Sequence, residues 1–226
     1  MQTNSHKMSG KVITITADGS PTIYVPGLNE HYHSIHGAIQ ESAFVFITNA
    51  LCRVKKQSVR LFETGFGTGL NACLSFLEAE EKKVNIFYHT IEKFPLDNEI
   101  WKKLAGFLQN ERQSDVFKRI HECRWEEEVR IGRFFTLKKT EADFKSYNPQ
   151  DSYDVIYFDA FSPDTQPELW TKEIFSKICS MMNHGAVLTT YSCKGSVRRT
   201  MESAGLIVKR IPGPPGKRHI TTAFKQ

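Results

Sequence analysis

The sequence predicts an α/β fold whose mainly parallel β-sheet is covered by helices on both faces. Two observations predict it. From about residue 59 onward, short apolar runs with strand composition alternate with stretches whose apolar residues recur at helical spacing. Such alternation is typical of parallel sheets, because parallel strands need crossover connections that are usually helices. Polar or glycine-rich residues also follow several predicted strands, which is where such sheets bind ligands.

The segment before this alternation predicts a small antiparallel unit. Residues 11–16 and 21–25 have strand composition and flank Asp18-Gly19, which is a strong hairpin signal. We therefore divide the chain into an N-terminal β-hairpin appendage at residues 1–34 and a larger domain at residues 35–226. Residues 1–8 lack the apolar core of a signal peptide.

The elements of the larger domain follow from spacing and composition. A helix at residues 70–79 is predicted by apolar residues at 70, 73, 74 and 77, and Gly205 is expected to end the last helix. A second hairpin is predicted with its turn near Gly132. The predicted strands are residues 59–62, 84–91, 134–137, 153–158, 186–191, 206–211 and 219–224, and the predicted helices are residues 35–53, 70–79, 98–109, 114–123, 168–182 and 194–204.

The most informative segment joins the first core strand to its helix and contains three glycines at alternate positions: Gly65, Gly67 and Gly69. Glycine there allows a tight turn and lets a ligand approach the backbone of the following helix N-terminus. Leu70 occupies the position of the third glycine in the dinucleotide pattern, and no lysine of a phosphate-binding loop follows. With Glu63 directly before the turn, the loop suits a cofactor with a cationic amino-acid end, such as S-adenosylmethionine.

Carboxylates at other strand ends extend this predicted cofactor site. Glu92, followed by Lys93, ends the second strand, where a carboxylate can accept hydrogen bonds from ribose hydroxyls. Asp143 follows the third strand and could bind the exocyclic amine of adenine, with helix capping as the alternative. Tyr32 and Ser34 are expected in a loop that closes over the cofactor.

A carboxylate and an aromatic ring follow the strand at residues 153–158. We expect Asp159 to accept a hydrogen bond from an amine nucleophile, orient it and help its proton leave. Phe161 could stack on the face of a splayed-out RNA base. The alternative is that Asp159 only ends the strand and caps the next segment.

The net charge of +5 is unevenly distributed. Residues 194–226 contain eight Lys or Arg and one Glu, a net +7, and the remaining residues contain 22 basic and 24 acidic side chains, a net −2. A basic excess at one end of the chain suggests a polyanionic partner such as nucleic acid, with a solvated basic surface as the alternative. The predicted phosphate contacts are Lys194, Arg198, Arg199, Lys217 and Arg218.

Composition also argues against several classes of protein. Five widely spaced cysteines without a C-x-x-C pair indicate reduced thiols and a cytoplasmic protein rather than a disulfide framework. His31, His33 and His36 are close in sequence but lack a cysteine pair or acidic partner at zinc spacing, so no metal site is expected. No run of eighteen apolar residues predicts a membrane span.

Several blocks of the sequence, in order, resemble the methyltransferase domain of the bacterial MnmC family. The blocks are residues 62–72 with the glycine loop, 92–96, 154–163 continuing through 167–170, 188–199 with Gly205, and 212–218. The resemblance covers most of the chain from about residue 10. It implies a class I, S-adenosylmethionine-dependent fold, Rossmann-like with a mainly parallel seven-stranded sheet, and places Asn71 in the cofactor motif.

The resemblance also implies a reaction and a partner. The family completes the 5-methylaminomethyl group of the wobble uridine, so we expect methyl transfer to the amine of 5-aminomethyl-(2-thio)uridine at position 34, in the anticodon stem-loop of tRNA. The family's second, flavin-dependent oxidase domain has no counterpart within 226 residues. We therefore expect a stand-alone methyltransferase whose aminomethyl substrate is supplied by another enzyme or made directly.

Two other functions stay open from the sequence. Residues 153–159 resemble the Y-D-x-I-x-x-D segment of aminopropyltransferases, which suggests a small-molecule amine transferase or N-methyltransferase. Those enzymes favour acidic pockets, whereas the C-terminal stretch here is basic. A non-catalytic RNA- or cofactor-binding module is the other alternative, and the intact glycine loop together with Asp159 argues against it.

Overall fold

The computed structural model describes residues 10–108 and 110–226, so the first nine residues of the predicted appendage lie outside the described part. The N-terminal segment forms a three-stranded antiparallel sheet of β1 (Val12–Ile15), β2 (Pro21–Val25) and β3 (Glu30–His31). The predicted hairpin is therefore present, with a third short strand added. The division of the chain between residues 34 and 35 stays a prediction.

Asp18 ties the turn of this hairpin to the first helix of the larger domain. Its Oδ1 accepts hydrogen bonds from the Thr16 hydroxyl at 2.6 Å and from the Ser20 amide at 3.1 Å. Its Oδ2 accepts one from the Gln40 amide at 3.0 Å. Although partial burial opposes it, these hydrogen bonds lower the pKa of Asp18 to about 2. The small sheet is thereby held against the domain that follows it.

The larger sheet has eight strands in the order β10-β11-β9-β8-β4-β5-β7-β6. They are β4 (Ser58–Thr64), β5 (Asn85–Glu92), β6 (Glu128–Arg130), β7 (Phe135–Glu141), β8 (Tyr153–Phe158), β9 (Met182–Thr190), β10 (Ile207–Pro212) and β11 (His219–Phe224). Strands β9, β8, β4, β5 and β7 run parallel, and the antiparallel pairs lie at the two edges.

The predicted mainly parallel α/β sheet is confirmed, but the predicted number of seven strands is wrong. The extra strand is β6, which pairs antiparallel with β7 in the hairpin expected around Gly132. The turn signal near Gly132 predicted this hairpin, but the count of seven strands left out its first strand, which is only three residues long and mostly exposed at the sheet edge.

The helices are α1 (Ala38–Ser42), α2 (Leu70–Lys82), α3 (Asn98–Gly106), α4 (Glu111–Glu122), α5 (Lys172–Met181) and α6 (Gly195–Ser203). The single helix predicted at residues 35–53 is wrong in detail. It consists of α1, a π-helical turn at Ala43–Thr48 and a 3₁₀ turn at Leu51–Arg53. The Asn49 amide explains one interruption, because it donates to the Phe44 carbonyl at 2.9 Å and competes with regular helical pairing. No described helix is long and apolar enough to cross a membrane.

The sheet is buried on both faces, as the alternation of strands and helices predicts. Val155 and Tyr157 of β8 pack into one apolar core with α2, α3 and α4, and Ile156 and Phe158 pack into a second core with α5 and α6. Successive side chains of a strand point to opposite faces of the sheet, so a fully buried strand contributes side chains to both cores.

The order of the strands places a crevice at the carboxyl ends of β4 and β8. From β4 the chain proceeds through β5 to β7 on one side, and then returns to build β8 and β9 on the other. The loops that follow β4 and β8 therefore diverge, which leaves space between them. The functional residues predicted after these strands meet at this point.

Candidate functional site

A cavity of about 770 Å³ lies at the carboxyl ends of the parallel strands. Its wall is built from the loops after β4, β5, β7, β8 and β9, together with residues of β3 and the segment that follows it. This volume is within the range of small-molecule sites. Most of the predicted site residues line it, namely Tyr32, Ser34, Gly65, Gly67, Asn71, Glu92, Lys93, Asp143, Asp159, Phe161 and Lys217.

The glycine loop after β4 has a backbone shape that other residues would strain. Gly65 has a φ of +91°, and a Cβ added there would lie 2.5 Å from the carbonyl oxygen of Asp159. Gly67 has a φ of +52° and donates its amide to Glu92 Oε2 at 3.0 Å, while the Tyr32 ring covers it. Gly69, at φ +76°, directly precedes α2. The loop is therefore folded against β5, β8 and the N-terminal segment together.

Glu63 lies beneath the loop and not in the cavity wall. Its side chain is fully buried, Thr90 Oγ1 donates to its Oε2 at 2.7 Å, and Asn71 Nδ2 donates to its Oε1 at 3.0 Å. Burial, with a smaller contribution from the nearby Asp159 carboxylate, raises the pKa of Glu63 to about 8 in spite of these hydrogen bonds. The structure thus places Glu63 as a support of Asn71, whereas the sequence suggested contact with the cofactor.

Asn71 joins two carboxyl groups. The same Nδ2 that donates to Glu63 also donates to Asp159 Oδ2 at 2.8 Å. Its Oδ1 is buried and has no hydrogen-bond partner, although Asn71 is part of the cavity wall. A buried acceptor left without a donor is costly, so this oxygen is suited to a ligand with an N–H group.

Asp159 is half-buried in the wall between β8 and the glycine loop. Its amide donates to the Thr64 carbonyl at 3.0 Å, which joins the ends of β4 and β8. Burial raises the pKa of its carboxyl group to about 7, and the hydrogen bond from Asn71 limits that rise. Asn71 engages Oδ2, so Oδ1 is left for a ligand in the cavity.

Three further predicted residues form the side of the cavity next to β5 and β7. Glu92 accepts the Gly67 amide on Oε2 and the Phe94 amide on Oε1, at 2.8 Å in the second case. Lys93 and Asp143 form an ion pair, with 2.8 Å between Nζ and Oδ2. Although partial burial opposes it, this contact lowers the pKa of Asp143. A carboxylate has about four acceptor sites, so both acids can still accept from a ligand.

Aromatic rings and the N-terminal segment form the opposite side. The Tyr32 and Phe161 rings meet edge to face, with 5.2 Å between their centroids. The Ser34 amide donates to Glu41 Oε2 at 2.9 Å, and both residues line the cavity. Trp170 donates its indole N–H to the Phe161 carbonyl at 2.8 Å and so fixes the loop that carries Phe161.

The five predicted phosphate contacts do not share one environment. Arg199 and Arg218 are exposed, Arg198 is half-buried, and Lys194 forms an ion pair with Asp164. Lys217 points into the cavity wall, where it pairs with Glu41. The structure therefore separates Lys217 from the exposed arginines, with which sequence reasoning had grouped it.

Sequence reasoning missed Glu41, because it comes from α1 and carries no strand-end signal. Tyr191 directly follows β9 and lines the cavity, as its predicted place at a strand end led us to expect.

The closely spaced histidines make different contacts: His33 with Thr22 and Thr68, His31 with the Tyr24 ring, and His36 with Gly216. Within the described residues, no group of three His, Cys, Asp or Glu side chains is placed to hold a metal ion.

The cavity fits a nucleoside that carries an amino acid. Asn71 Oδ1 is an unpartnered acceptor suited to an ammonium group, and Glu92 and Asp143 can accept from hydroxyl and amine groups further along the wall. A Cβ at Gly67 would lie 3.1 Å from the Tyr32 ring, so the glycine keeps this narrow part of the cavity open. These features match the chemistry of S-adenosylmethionine.

Residues 109–226, just over half of the chain, match the model of a family described as S-adenosyl-L-methionine-dependent methyltransferase. Among curated proteins, the chain is similar to the tRNA 5-methylaminomethyl-2-thiouridine biosynthesis bifunctional protein MnmC of Pseudomonas putida (strain W619). The two are 28% identical over 200 residues, which cover 80% of this chain and 30% of that protein. The chain therefore spans less than half the length of this curated relative.

Solved structures agree with this fold. MNMC2 from Aquifex aeolicus matches with a TM-score of 0.75 at 27% identity, over 95% of this chain and 70% of that chain. Spermidine synthase from Thermotoga maritima matches with a TM-score of 0.60 over 95% of this chain and 68% of that chain. The second pair is only 12% identical, so its likeness concerns the fold alone.

We predict that Gly65→Ala destabilises the protein more than Gly205→Ala. Both glycines have a φ of +91°, but only at Gly65 would the new Cβ meet a backbone atom, whereas nothing lies within 4 Å at Gly205. The unfavourable φ should cost each variant about 1 kcal/mol, and the clash should add at least ~1 kcal/mol for Gly65→Ala. Urea denaturation measures the free energy of unfolding of both variants. Equal losses would contradict the close approach of the loop to Asp159.

We also predict that Glu63→Gln flattens the pH dependence of stability. The folded-state pKa of about 8 lies above the ordinary value of 4.5, so this group stabilises the fold at low pH and loses that contribution as pH rises towards 8. Between pH 4.5 and about 8, the wild-type free energy of unfolding should therefore decline more steeply than that of Glu63→Gln. Glu128→Gln, at an exposed position on β6, is the control and should follow the wild type. Parallel curves for all three proteins would show that Glu63 is ionised in the fold.

Proposed function

Because this chain belongs to a family of S-adenosyl-L-methionine-dependent methyltransferases, we propose that it methylates the aminomethyl nitrogen of 5-aminomethyl-(2-thio)uridine at position 34 of tRNA. The observation that carries the proposal is the half-buried Asp159 carboxyl beside Phe161, in one cavity with the glycine loop. The similar Pseudomonas putida protein takes part in the biosynthesis of tRNA 5-methylaminomethyl-2-thiouridine, which supports this substrate. An enzyme that supplies the primary amine is part of the proposal.

The chain's own residues would hold the cofactor along the glycine loop. Asn71 Oδ1 is the proposed acceptor for its ammonium group, Glu92 for its ribose hydroxyls and Asp143 for its adenine amine. Tyr32 and Ser34 would cover it from the N-terminal segment. Bound there, the cofactor would supply a methyl group attached to a cationic sulfur, which is a good leaving group for transfer to an amine.

The amine must be neutral to use its lone pair, and Asp159 is the proposed catalytic residue. Its Oδ1 would accept a hydrogen bond from the amine, orient the nitrogen and receive the proton that the nitrogen loses. A carboxyl group with a pKa of about 7 is suited to this task, because a base works best when its pKa is close to the operating pH. Phe161 would stack on the uracil ring and exclude water.

The exposed cations of the C-terminal part would bind the tRNA backbone. Arg199 on α6 and Arg218 before β11 are exposed to solvent, and Arg198 precedes Arg199 in the sequence. Lys194 pairs with Asp164, which lines the cavity. Contacts with phosphates supply affinity and salt dependence and carry no base specificity. Lys217 is not included in this surface, since Glu41 already engages it.

We predict that Asp159→Asn lowers the rate of methyl transfer by at least ~100-fold, because the amine loses its proton acceptor. Labelled S-adenosylmethionine and tRNA from cells that lack this gene are the substrates, and nucleoside analysis identifies the product. Cofactor affinity should stay within a few-fold, since Asn keeps the side-chain volume. Asp164→Asn, another carboxylate of the same wall, is the control and should retain activity.

Two outcomes would contradict these assignments separately. Full activity of Asp159→Asn would remove Asp159 as the catalytic base and leave the substrate assignment standing. If the wild-type protein binds the cofactor and methylates small amines but no tRNA, the acceptor is a small molecule and the proposed tRNA substrate is wrong.

We predict that Arg199→Glu combined with Arg218→Glu weakens tRNA binding and flattens its salt dependence. If both arginines contact phosphates, the slope of log affinity against log salt should become shallower by about two. Arg112→Glu with Lys118→Glu makes the same change of charge at exposed positions of α4 and should leave the slope unchanged. Equal slopes for both double variants would place the tRNA on another surface.

A further inference from the structure

Lys217 and Glu41 form an ion pair inside the cavity wall, although 176 positions separate them in the sequence. Glu41 lies on α1 and Lys217 in the loop between β10 and β11. Their side chains are 11% and 27% exposed, respectively. Burial of both charges carries a desolvation cost that surface pairs avoid, so a pair at this place calls for an explanation beyond surface stabilisation.

Both partners are held by further contacts. Glu41 Oε2 accepts the Ser34 amide at 2.9 Å, and the Lys217 ammonium lies over the Tyr191 ring, 4.2 Å from its centroid. The Tyr191 hydroxyl in turn donates to the carbonyl of Ala160 at 2.9 Å, next to Asp159 in the chain. The pair is therefore fixed relative to the loop that carries the proposed catalytic base.

We propose that Glu41 and Lys217 are positioning residues for the transfer reaction: paired in the same cavity wall as Asp159, they balance each other's charge, so that neither charge acts alone on the proposed base. The proposal rests on the proposed function, because it takes an amine as the acceptor and Asp159 as its base. Neither residue needs to touch the amine for this role.

Simple electrostatics gives the two charges opposite effects. A carboxylate near Asp159 disfavours a second negative charge, and an ammonium group favours it. In the structure the Glu41 charge raises the pKa of Asp159 and the Lys217 charge lowers it, in addition to the larger effect of burial. With both present the effects oppose each other, and loss of either one leaves an uncompensated charge near the base.

Other titratable groups near this site come from several elements and stay the same in the variants of Glu41 and Lys217. Glu63 and Tyr88 lie on the β4–β5 side, Glu30 accepts the Ser162 amide at 3.2 Å, and Tyr191 lies under Lys217. His33 is half-buried near Glu41 and Lys217, and Asp18 lies near His33. Each of these other groups is retained in every variant, so a shift can be assigned to the pair.

The test follows the Asp159 carboxyl directly by carbon-13 NMR titration of protein labelled at aspartate, with Asp159→Asn identifying the signal. We expect Lys217→Met to raise the midpoint by about one pH unit and Glu41→Gln to lower it by a similar amount. The double variant should return to within about half a unit of wild type, because the opposed effects cancel. Arg218→Met, the adjacent exposed cation, should leave the midpoint unchanged.

The pH dependence of single-turnover methyl transfer to tRNA gives the second readout, and its acidic limb should move with the NMR midpoints. Lys217→Arg keeps the charge and should keep the wild-type midpoint and profile. If a single variant fails to fold, Lys217→Arg and the double variant of Lys217→Met with Glu41→Gln still test the proposal. Single variants whose midpoints move in the same direction, or do not move, would overturn the proposal and leave the pair a structural link between α1 and the loop.

The two proposals fail in distinguishable ways. Wild-type protein without methyl transfer to tRNA would contradict the proposed function, whereas the NMR titration needs no acceptor and still tests the ion pair. Methyl transfer with unshifted midpoints in Lys217→Met and Glu41→Gln would keep the function and remove the pair from it.

Discussion

One side-chain amide joins the two strand ends on which the site is built. Asn71, at the start of α2, donates to Glu63 at the end of β4 and to Asp159 directly after β8. Because the glycine loop lies between these strand ends, the same contact holds the loop against Asp159. The glycine loop and the proposed base are therefore held in a fixed relative position, as the proposed methyl transfer between two bound groups requires.

The charge state of the site follows from burial. Glu63 and Asp159 are close enough to share one donor, and burial raises the pKa of both carboxyl groups. Two buried carboxylates next to each other disfavour simultaneous ionisation. A neutral Glu63 beneath the loop leaves the single negative charge of the pair for Asp159, where the cavity gives it access to a ligand.

Part of the cavity wall is formed by one segment near the N-terminus and another near the C-terminus. Residues around Tyr32 and Ser34 approach from the N-terminal sheet, and the loop with Lys217 approaches from between the last two strands. The contact of His36 with Gly216 and the Glu41–Lys217 pair join them. The N-terminal segment thus belongs to the site as well as to its own small sheet, through groups whose sequence separation hides their proximity.

The α/β fold, its parallel centre and the cofactor class were determined by the sequence itself, since glycine spacing, helical periodicity and polar residues at strand ends are local patterns. The family match and the strand order confirm those three conclusions. Local patterns also predicted that Gly65, Glu92 and Asp159 would converge, because all parallel strands end at one edge of the sheet.

Only the tertiary structure decided which way the side chains at those positions turn. It placed Glu63 beneath the loop and placed Lys217, expected on the surface, in the cavity wall. It also brought Glu41 to the site from a predicted helix that carries no strand-end signal. It also gave the bounds and register of β6, the first strand of the predicted second hairpin, which pairs with β7. Sequence patterns are local, so they indicate which residues face the core or follow a strand. A contact between residues 41 and 217 forms only when packing brings distant segments together.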